Sequence, residues 1–256
     1  MIGMALAVTG AVLLVLFGAT FCVAVAAGRH SVADTAWGLG IALVGGADPI
    51  ASAGHGDPTR RLVLVCCTVL WGLRLAAHVT WRNHGAGEDP RYRDLLGRAR
   101  GNRNVYALRV VYLPQVLVLW LACVAIAAGM VAKPAFGVVN AAGAALWLCG
   151  FCFESAGDWQ LARFKEDPAN RGKLMDRGLW RYTRHPNYFG DACMWWGLFL
   201  IGLGPLWTVF SPLMMTIILT RGTGQRLTDK RLAATKPEYA QYAARTSGFV
   251  PLPPRR

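Results

Sequence analysis

The stretch RYTRHPNYFGD combines side chains that bind anions with side chains that recognise polar groups. Arg181 and Arg184 carry guanidinium groups, which bind phosphate through paired hydrogen bonds. Pro186 suits the first turn of a helix, and Asn187 and Asp191 stand four residues apart, so they share one face of it. A helix N-terminus beside two arginines favours an anionic cofactor. The alternative is a cytoplasmic loop whose positive charges only fix membrane topology.

A second group of polar residues lies where an apolar segment becomes polar. Glu154, Asp158 and Lys165 follow the i, i+4 and i+7 spacing of one helical face, with Arg163 beside them. Two carboxylates and an ammonium group on one stripe predict a hydrogen-bonding surface at the membrane boundary. A solvated helix end is the alternative interpretation.

Polar residues inside apolar segments are the third group, because they are costly in a bilayer and therefore candidates for function. Asp34 lies near the start of one such segment. Arg74 and His78 lie four residues apart in another segment, so they share one face of its helix. Asp34 and Arg74 form a structural ion pair, or Arg74 and His78 position Asp34 as an acid that faces the substrate. The sequence leaves both open.

The composition is that of a membrane protein. Of the 256 residues, 54% are hydrophobic and only 16% are charged, which is too apolar for an ordinary soluble domain. The net charge is +13, and the basic residues lie between the apolar segments and not along one face of an amphipathic helix. We therefore expect no nucleic-acid partner. The seven cysteines lack the spacing of a disulfide framework or a zinc site, and we expect no metal.

Apolar segments predict an all-α fold, with about seven transmembrane helices in one bundle. The seven segments are 4–27, 32–52, 62–81, 106–131, 135–157, 188–204 and 206–221. Seven spans place 23 of the 27 lysines and arginines on one side, which predicts an external N-terminus and a cytoplasmic C-terminus. No linker or repeat divides the chain, so we expect one membrane domain over 1–256.

The C-terminal tail is too polar to cross a membrane. It has the pattern of a short amphipathic helix followed by a proline-rich end. Tyr239 and Tyr242 share a face of that helix, and we interpret them as anchors at the membrane interface.

Three motifs together resemble a known group of membrane proteins. GLWRYTRHPNYFGD, DTAWG and RNHGAGEDPRY resemble an uncharacterised bacterial membrane family related to the steroid 5α-reductases. The C-terminal motif is also similar to the isoprenylcysteine carboxyl methyltransferases. The first resemblance covers nearly the whole chain, and the second covers about 150–250.

The reductase resemblance implies a seven-helix bundle that holds NADPH at its cytoplasmic side. It would reduce a carbon–carbon double bond in a steroid-like or other lipophilic enone that enters from the bilayer lipids, in the inner membrane of a bacterium. Segment 1–131 would serve the substrate, and 132–256 would bind the cofactor. The implied cofactor residues are Asp158, Lys165, Asn187, Asp191 and Arg221, with Arg82, Arg184 and Tyr188 nearby.

The resemblance also implies an acid that polarises the substrate carbonyl, and Asp34 is the candidate. The carbonyl-binding tyrosine of the reductases has no secure match, and Tyr112 or His78 would substitute for it. Two other functions stay open. One is an S-adenosylmethionine-dependent methyltransferase that acts on a lipid-linked group, and the other is a non-catalytic, lipid-binding membrane subunit.

Overall fold

A computed structural model describes residues 1–222 and 224–255, and all the regular structure in this part of the chain is helical. In chain order the α-helices are α1 (Ile2–Ala27), α2 (Ala33–Ala51), α3 (Pro58–Arg82), α4 (Pro90–Leu96), α5 (Arg103–Ala107), α6 (Leu113–Met130), α7 (Val138–Glu166), α8 (Pro186–Gly202), α9 (Phe210–Arg221), α10 (Gln225–Thr235) and α11 (Tyr239–Arg245). A π-helical segment, Leu108–Tyr112, joins α5 to α6 without a break.

Four helices are long and apolar enough to cross a membrane. They are Ile2–Ala27, Pro58–Arg82, Arg103–Met130 and Val138–Glu166. Each exceeds the 17 or so residues that the hydrocarbon core requires. These helices confirm the all-α class and the membrane association expected from the composition.

The other three predicted spans are helical but shorter or more polar. α2 carries Asp34 and Asp48 within its 19 residues. α8 has 17 residues, and α9 has 12 because the preceding Leu206–Val209 forms a 3-10 turn. Their helical character agrees with the sequence, whereas their crossing of a membrane stays a prediction.

The described chain divides into two compact units, and the prediction of a single membrane domain stays a prediction. The first unit comprises Met1–Asn140 and Ile201–Thr208, and the second comprises Ala141–Leu200 and Val209–Arg256.

Close helix contact holds the first unit together at α2 and α3. A Cβ atom added to Gly38 would lie 2.5 Å from the backbone nitrogen of Ala76, so only glycine allows this approach. Two buried charged residues lie farther along the same helices. Asp48 accepts a hydrogen bond from Thr9 at 3.0 Å, and Arg60 donates to the carbonyl of Ala132 at 2.8 Å.

The second unit has the same kind of contact between α7 and α8. A Cβ atom at Gly190 would lie 2.5 Å from the carbonyl oxygen of Gly150 and 2.6 Å from the nitrogen of Glu154. Pro186 also packs against Gly157, where an added Cβ would lie 3.1 Å from the proline ring. This contact fixes the first turns of α8 against the polar stripe of α7.

Candidate functional site

Asp34 lies at the centre of a polar cluster in the first unit. It occupies the first turn of α2, and its Oδ1 accepts a hydrogen bond from the Tyr92 hydroxyl at 2.6 Å. Its Oδ2 accepts from Arg91 at 2.8 Å. Gln115 donates to the Tyr92 oxygen at 3.3 Å and accepts from the Trp37 indole at 2.9 Å. We call these residues, Asp34, Arg91, Tyr92, Gln115 and Trp37, the Asp34 cluster.

The short helix α4 positions the tyrosine. Asp89 caps α4 by accepting from the backbone N–H of Arg91 at 2.8 Å, and Pro90 occupies the first helical position. Tyr92 is only 6% exposed. Burial, followed by the neighbouring Asp34, raises the pKa of Tyr92 above its ordinary range. Its hydroxyl therefore keeps its proton at neutral pH and is a hydrogen-bond donor.

Tyr112, predicted as a carbonyl-binding residue, lies at the end of the π-helical segment and is buried. Its hydroxyl lies 3.2 Å from Nδ1 of His30, whose Nε2 lies 3.1 Å from Asn104. Glu88 fixes the His30 backbone by accepting its N–H at 2.8 Å. A π-helical turn is frequent at functional sites, because it shifts side chains out of the regular α-helical register.

The other two predicted residues of this unit lie on α3. His78 has its ring centroid 5.9 Å from that of Trp81. Arg82 is the last residue of α3, is exposed, and donates from Nε to Asn83 at 3.4 Å. Their predicted functional roles stay predictions.

Three of the predicted cofactor residues, Asp158, Asn187 and Asp191, lie at or beside the start of α8. The Asn187 amide donates to Asp158 of α7 at 3.4 Å, which brings together two residues 29 positions apart. Asp191, one turn farther along, is half-buried, accepts a hydrogen bond from Trp195, and has a buried Oδ1 with no hydrogen-bond partner. An unsatisfied carboxylate oxygen beside an amide suits the amide or hydroxyl groups of a ligand.

Arg184 and His185 belong to a separate arrangement that we call the Asp229 cluster. Asp229 of α10 accepts from Arg184 at 3.0 Å and lies 2.6 Å from Nε2 of His185. The Tyr239 hydroxyl also donates to Asp229. Arg184 further donates to the carbonyl of Thr246 at 3.0 Å. Here the guanidinium of Arg184 holds the tail, and its predicted place near the cofactor stays a prediction.

Asp229 is ionised in this cluster at any ordinary pH. Burial alone would raise its pKa, but hydrogen bonds from His185, Tyr239 and Arg184 outweigh burial and hold the pKa well below the ordinary 3.8. Tyr188, also predicted near the cofactor, stacks on the His185 ring with centroids 5.1 Å apart. Its hydroxyl lies 3.3 Å from that of Thr228.

The interpretation of the tail tyrosines as interfacial anchors is wrong. Tyr239 and Tyr242 are 4% and 3% exposed, and the Tyr242 hydroxyl donates to the carbonyl of Trp180 at 2.5 Å. Both rings pack inside the second unit because their hydroxyls find acceptors there.

The two remaining cofactor candidates lie at helix ends. Lys165 is in the last turn of α7, which continues past the apolar stretch as one helix, as expected. Arg221 ends α9 and is exposed. Among the described residues, no group of three or more His, Cys, Asp or Glu side chains is arranged to hold a metal ion.

The sequence did not identify Tyr92, Gln115, Glu88, His30 or Asp229 as site residues. Tyr92 lies within the motif RNHGAGEDPRY that carried part of the resemblance. The Asp89-Pro90 pair in this motif indicates the start of a helix, because Asp at the N-cap followed by Pro at the first helical position is typical of helix N-termini. That signal could have predicted the helix α4, but it could not have shown that Tyr92 contacts Asp34, 58 positions earlier.

Comparison with known proteins gives a family without an assigned activity. The model of a family described as "Protein of unknown function (DUF1295)" matches residues 20–246. An uncharacterised protein of Schizosaccharomyces pombe is 30% identical over 95 residues, which are 35% of this chain and 27% of the yeast protein. The match therefore spans about a quarter of that relative. No solved structure matches the chain.

Proposed function

The chain belongs to the DUF1295 family, and from the geometry of the Asp34 cluster and of the start of α8 we propose that it is a membrane-embedded, NADPH-dependent reductase of a carbon–carbon double bond in a lipophilic enone. The observation that carries the proposal is the 2.6 Å hydrogen bond between the Tyr92 hydroxyl and Asp34. The reductase resemblance implies an acid and a tyrosine that act on the substrate carbonyl. Tyr92 supplies the tyrosine that the sequence alone did not match.

The chemistry of this pair suits polarisation of a carbonyl group. Tyr92 keeps its proton because of burial and Asp34, so it can donate to a carbonyl oxygen. In the proposed reaction the Tyr92 hydroxyl would turn from Asp34 to donate its hydrogen bond to the developing enolate oxygen. Gln115 and Arg91 hold the phenol and the carboxyl in place. The residues thus provide a positioned hydrogen-bond donor for the substrate carbonyl.

The start of α8 fits the nicotinamide cofactor. The unpartnered Oδ1 of Asp191 is an acceptor, and the Asn187 amide supplies both a donor and an acceptor, as a carboxamide ligand requires. Lys165 and Arg221 would bind its phosphates. NADPH supplies a hydride to the β-carbon when bound, and Asn187 and Asp191 would orient its reacting ring.

The proposal includes seven membrane spans, with the N-terminus outside and the C-terminus cytoplasmic in a bacterial inner membrane. The four apolar helices, together with α2, α8 and α9, supply these spans. The asymmetry of 23 of 27 basic residues supports the orientation. A reporter fused after Arg256 should read cytoplasmic, and an external signal would overturn both the span number and the orientation.

Enzyme assays test the proposed chemistry. We would measure NADPH oxidation by the purified protein with a panel of lipophilic enones, including steroid 4-en-3-ones. Tyr92→Phe should lower kcat about a hundredfold or more, within the range of general acid catalysis, while NADPH affinity is unchanged. Tyr106→Phe is the matched control, because Tyr106 lies on α5 outside the Asp34 cluster. Equal rates for the two variants would refute the role of Tyr92.

A further inference from the structure

The C-terminal tail folds back along the segment that precedes α8. Ser247 accepts from the backbone N–H of Arg184 at 2.9 Å, and the N–H of Leu252 donates to Tyr182 at 3.0 Å. Thr183 also donates from its hydroxyl to the carbonyl of Phe249 at 2.8 Å. These bonds bring the basic residues of the tail beside those of the 176–181 segment.

The fold-back borders a half-open cavity of about 490 Å³ in the second unit. Its lining includes four arginines, Arg177, Arg181, Arg245 and Arg255, all of them exposed, and one acidic residue, Asp176. Asp176 pairs with Arg245 at 2.6 Å. In the described part of the chain, the other three arginines have no carboxylate in ion-pair contact.

Membrane topology explains why basic residues are present on one side but not why they converge. Arg177 and Arg181 come from one segment, and Arg245 and Arg255 lie more than 60 positions later. Four exposed arginines with one acidic residue among them give this surface a net positive charge, which favours the binding of an anion. Their planar, forked donors match the oxygens of a phosphate group.

We propose that this arginine cavity binds the phosphate group of a phosphorylated small molecule or of a phospholipid headgroup. A second cavity of about 200 Å³ shares Asp176, Arg177 and Arg245 with the first. Its other lining residues are both apolar and polar: Phe164, Leu174, Lys173, Glu238, Gln241 and Tyr242. The second cavity has room for the organic part of such a ligand. None of the residues lining the arginine cavity is among those proposed to hold NADPH.

Titration of inorganic pyrophosphate into the detergent-solubilised full chain tests the proposal by calorimetry. The Arg181→Gln/Arg255→Gln double variant should bind pyrophosphate at least about tenfold more weakly, because each arginine supplies charged hydrogen bonds. Arg163→Gln is the control, since Arg163 is 69% exposed, pairs with Glu166 and lies outside the cavity. The control should stay within about twofold of the wild type.

Lipid nanodiscs distinguish the two sources of phosphate. If the occupant is a phospholipid, phosphatidylglycerol discs should weaken pyrophosphate binding relative to phosphatidylcholine discs, and the double variant should abolish this difference. If the occupant is soluble, the two disc types should give equal affinity.

Two results would overturn the proposal. One is pyrophosphate binding that is absent or is equal in the wild type and the double variant. The other is a matching loss of NADPH affinity in the double variant, which would make the cavity part of the cofactor site. Failure of NADPH to bind either protein would count against the proposed reductase and not against the arginine cavity.

Discussion

Removing the charge of Asp229 should destabilise the second unit strongly. The side chains of Asp229, Arg184 and His185 are 21%, 15% and 2% exposed, so their ion pairs belong to the buried class and not to the weak surface class. Removing one partner of a buried pair costs about 3–5 kcal/mol. Asp229→Asn should therefore lower the free energy of unfolding by about 3 kcal/mol or more.

The effect should depend on pH in one direction. The pKa of Asp229 is lowered in the folded state, so its carboxylate stabilises the fold fully above the ordinary pKa of 3.8. This stabilisation is lost as the pH falls through the lower, folded-state pKa. The difference in stability between wild type and Asp229→Asn should shrink as the pH falls below about 4.

Chemical denaturation in mild detergent, followed by tryptophan fluorescence, measures both effects. Asp94→Asn is the matched control, because Asp94 is an exposed aspartate on α4. Its unfolding free energy should change by less than about 0.5 kcal/mol. If Asp229→Asn unfolds like Asp94→Asn, or if its deficit does not shrink in acid, the ion-pair account of the Asp229 cluster is refuted.

Two further predictions follow from close contacts. Gly190→Ala should lower the free energy of unfolding by about 1–3 kcal/mol, because its Cβ would lie 2.5 Å from the Gly150 carbonyl. Gly18→Ala, whose Cβ meets open space, should not destabilise, and similar losses for both would contradict the packing argument. Glu88→Gln should speed amide hydrogen exchange at Ser31 about tenfold, because the Ser31 N–H donates to Glu88 at 2.8 Å. Unchanged protection would exclude Glu88 as the anchor of this loop.

The sequence predicted what depends on local pattern. Apolar runs identified the helices, and Pro186 correctly opened α8 with Asn187 and Asp191 on its first turns. The extension of the fifth predicted span into one long helix, α7, also followed from i, i+4 spacing.

What the sequence could not predict depends on contacts between distant segments. No periodicity relates Tyr92 to Asp34, 58 positions apart, or Asp229 to His185, 44 positions apart. The path of a loop such as the one before α4 is set by tertiary packing, so the local sequence pattern does not predict it. The same limit explains the error at Tyr239, whose helical face is turned inwards by its hydrogen bond to Asp229.

Titrating NADPH and S-adenosylmethionine in parallel against the purified protein tests the central claim most directly. The wild type should bind NADPH and not S-adenosylmethionine. Asn187→Ala should weaken NADPH binding by about 1 kcal/mol, the scale of a neutral hydrogen bond. Binding of S-adenosylmethionine without NADPH, or NADPH affinity equal in the wild type and Asn187→Ala, would contradict the account.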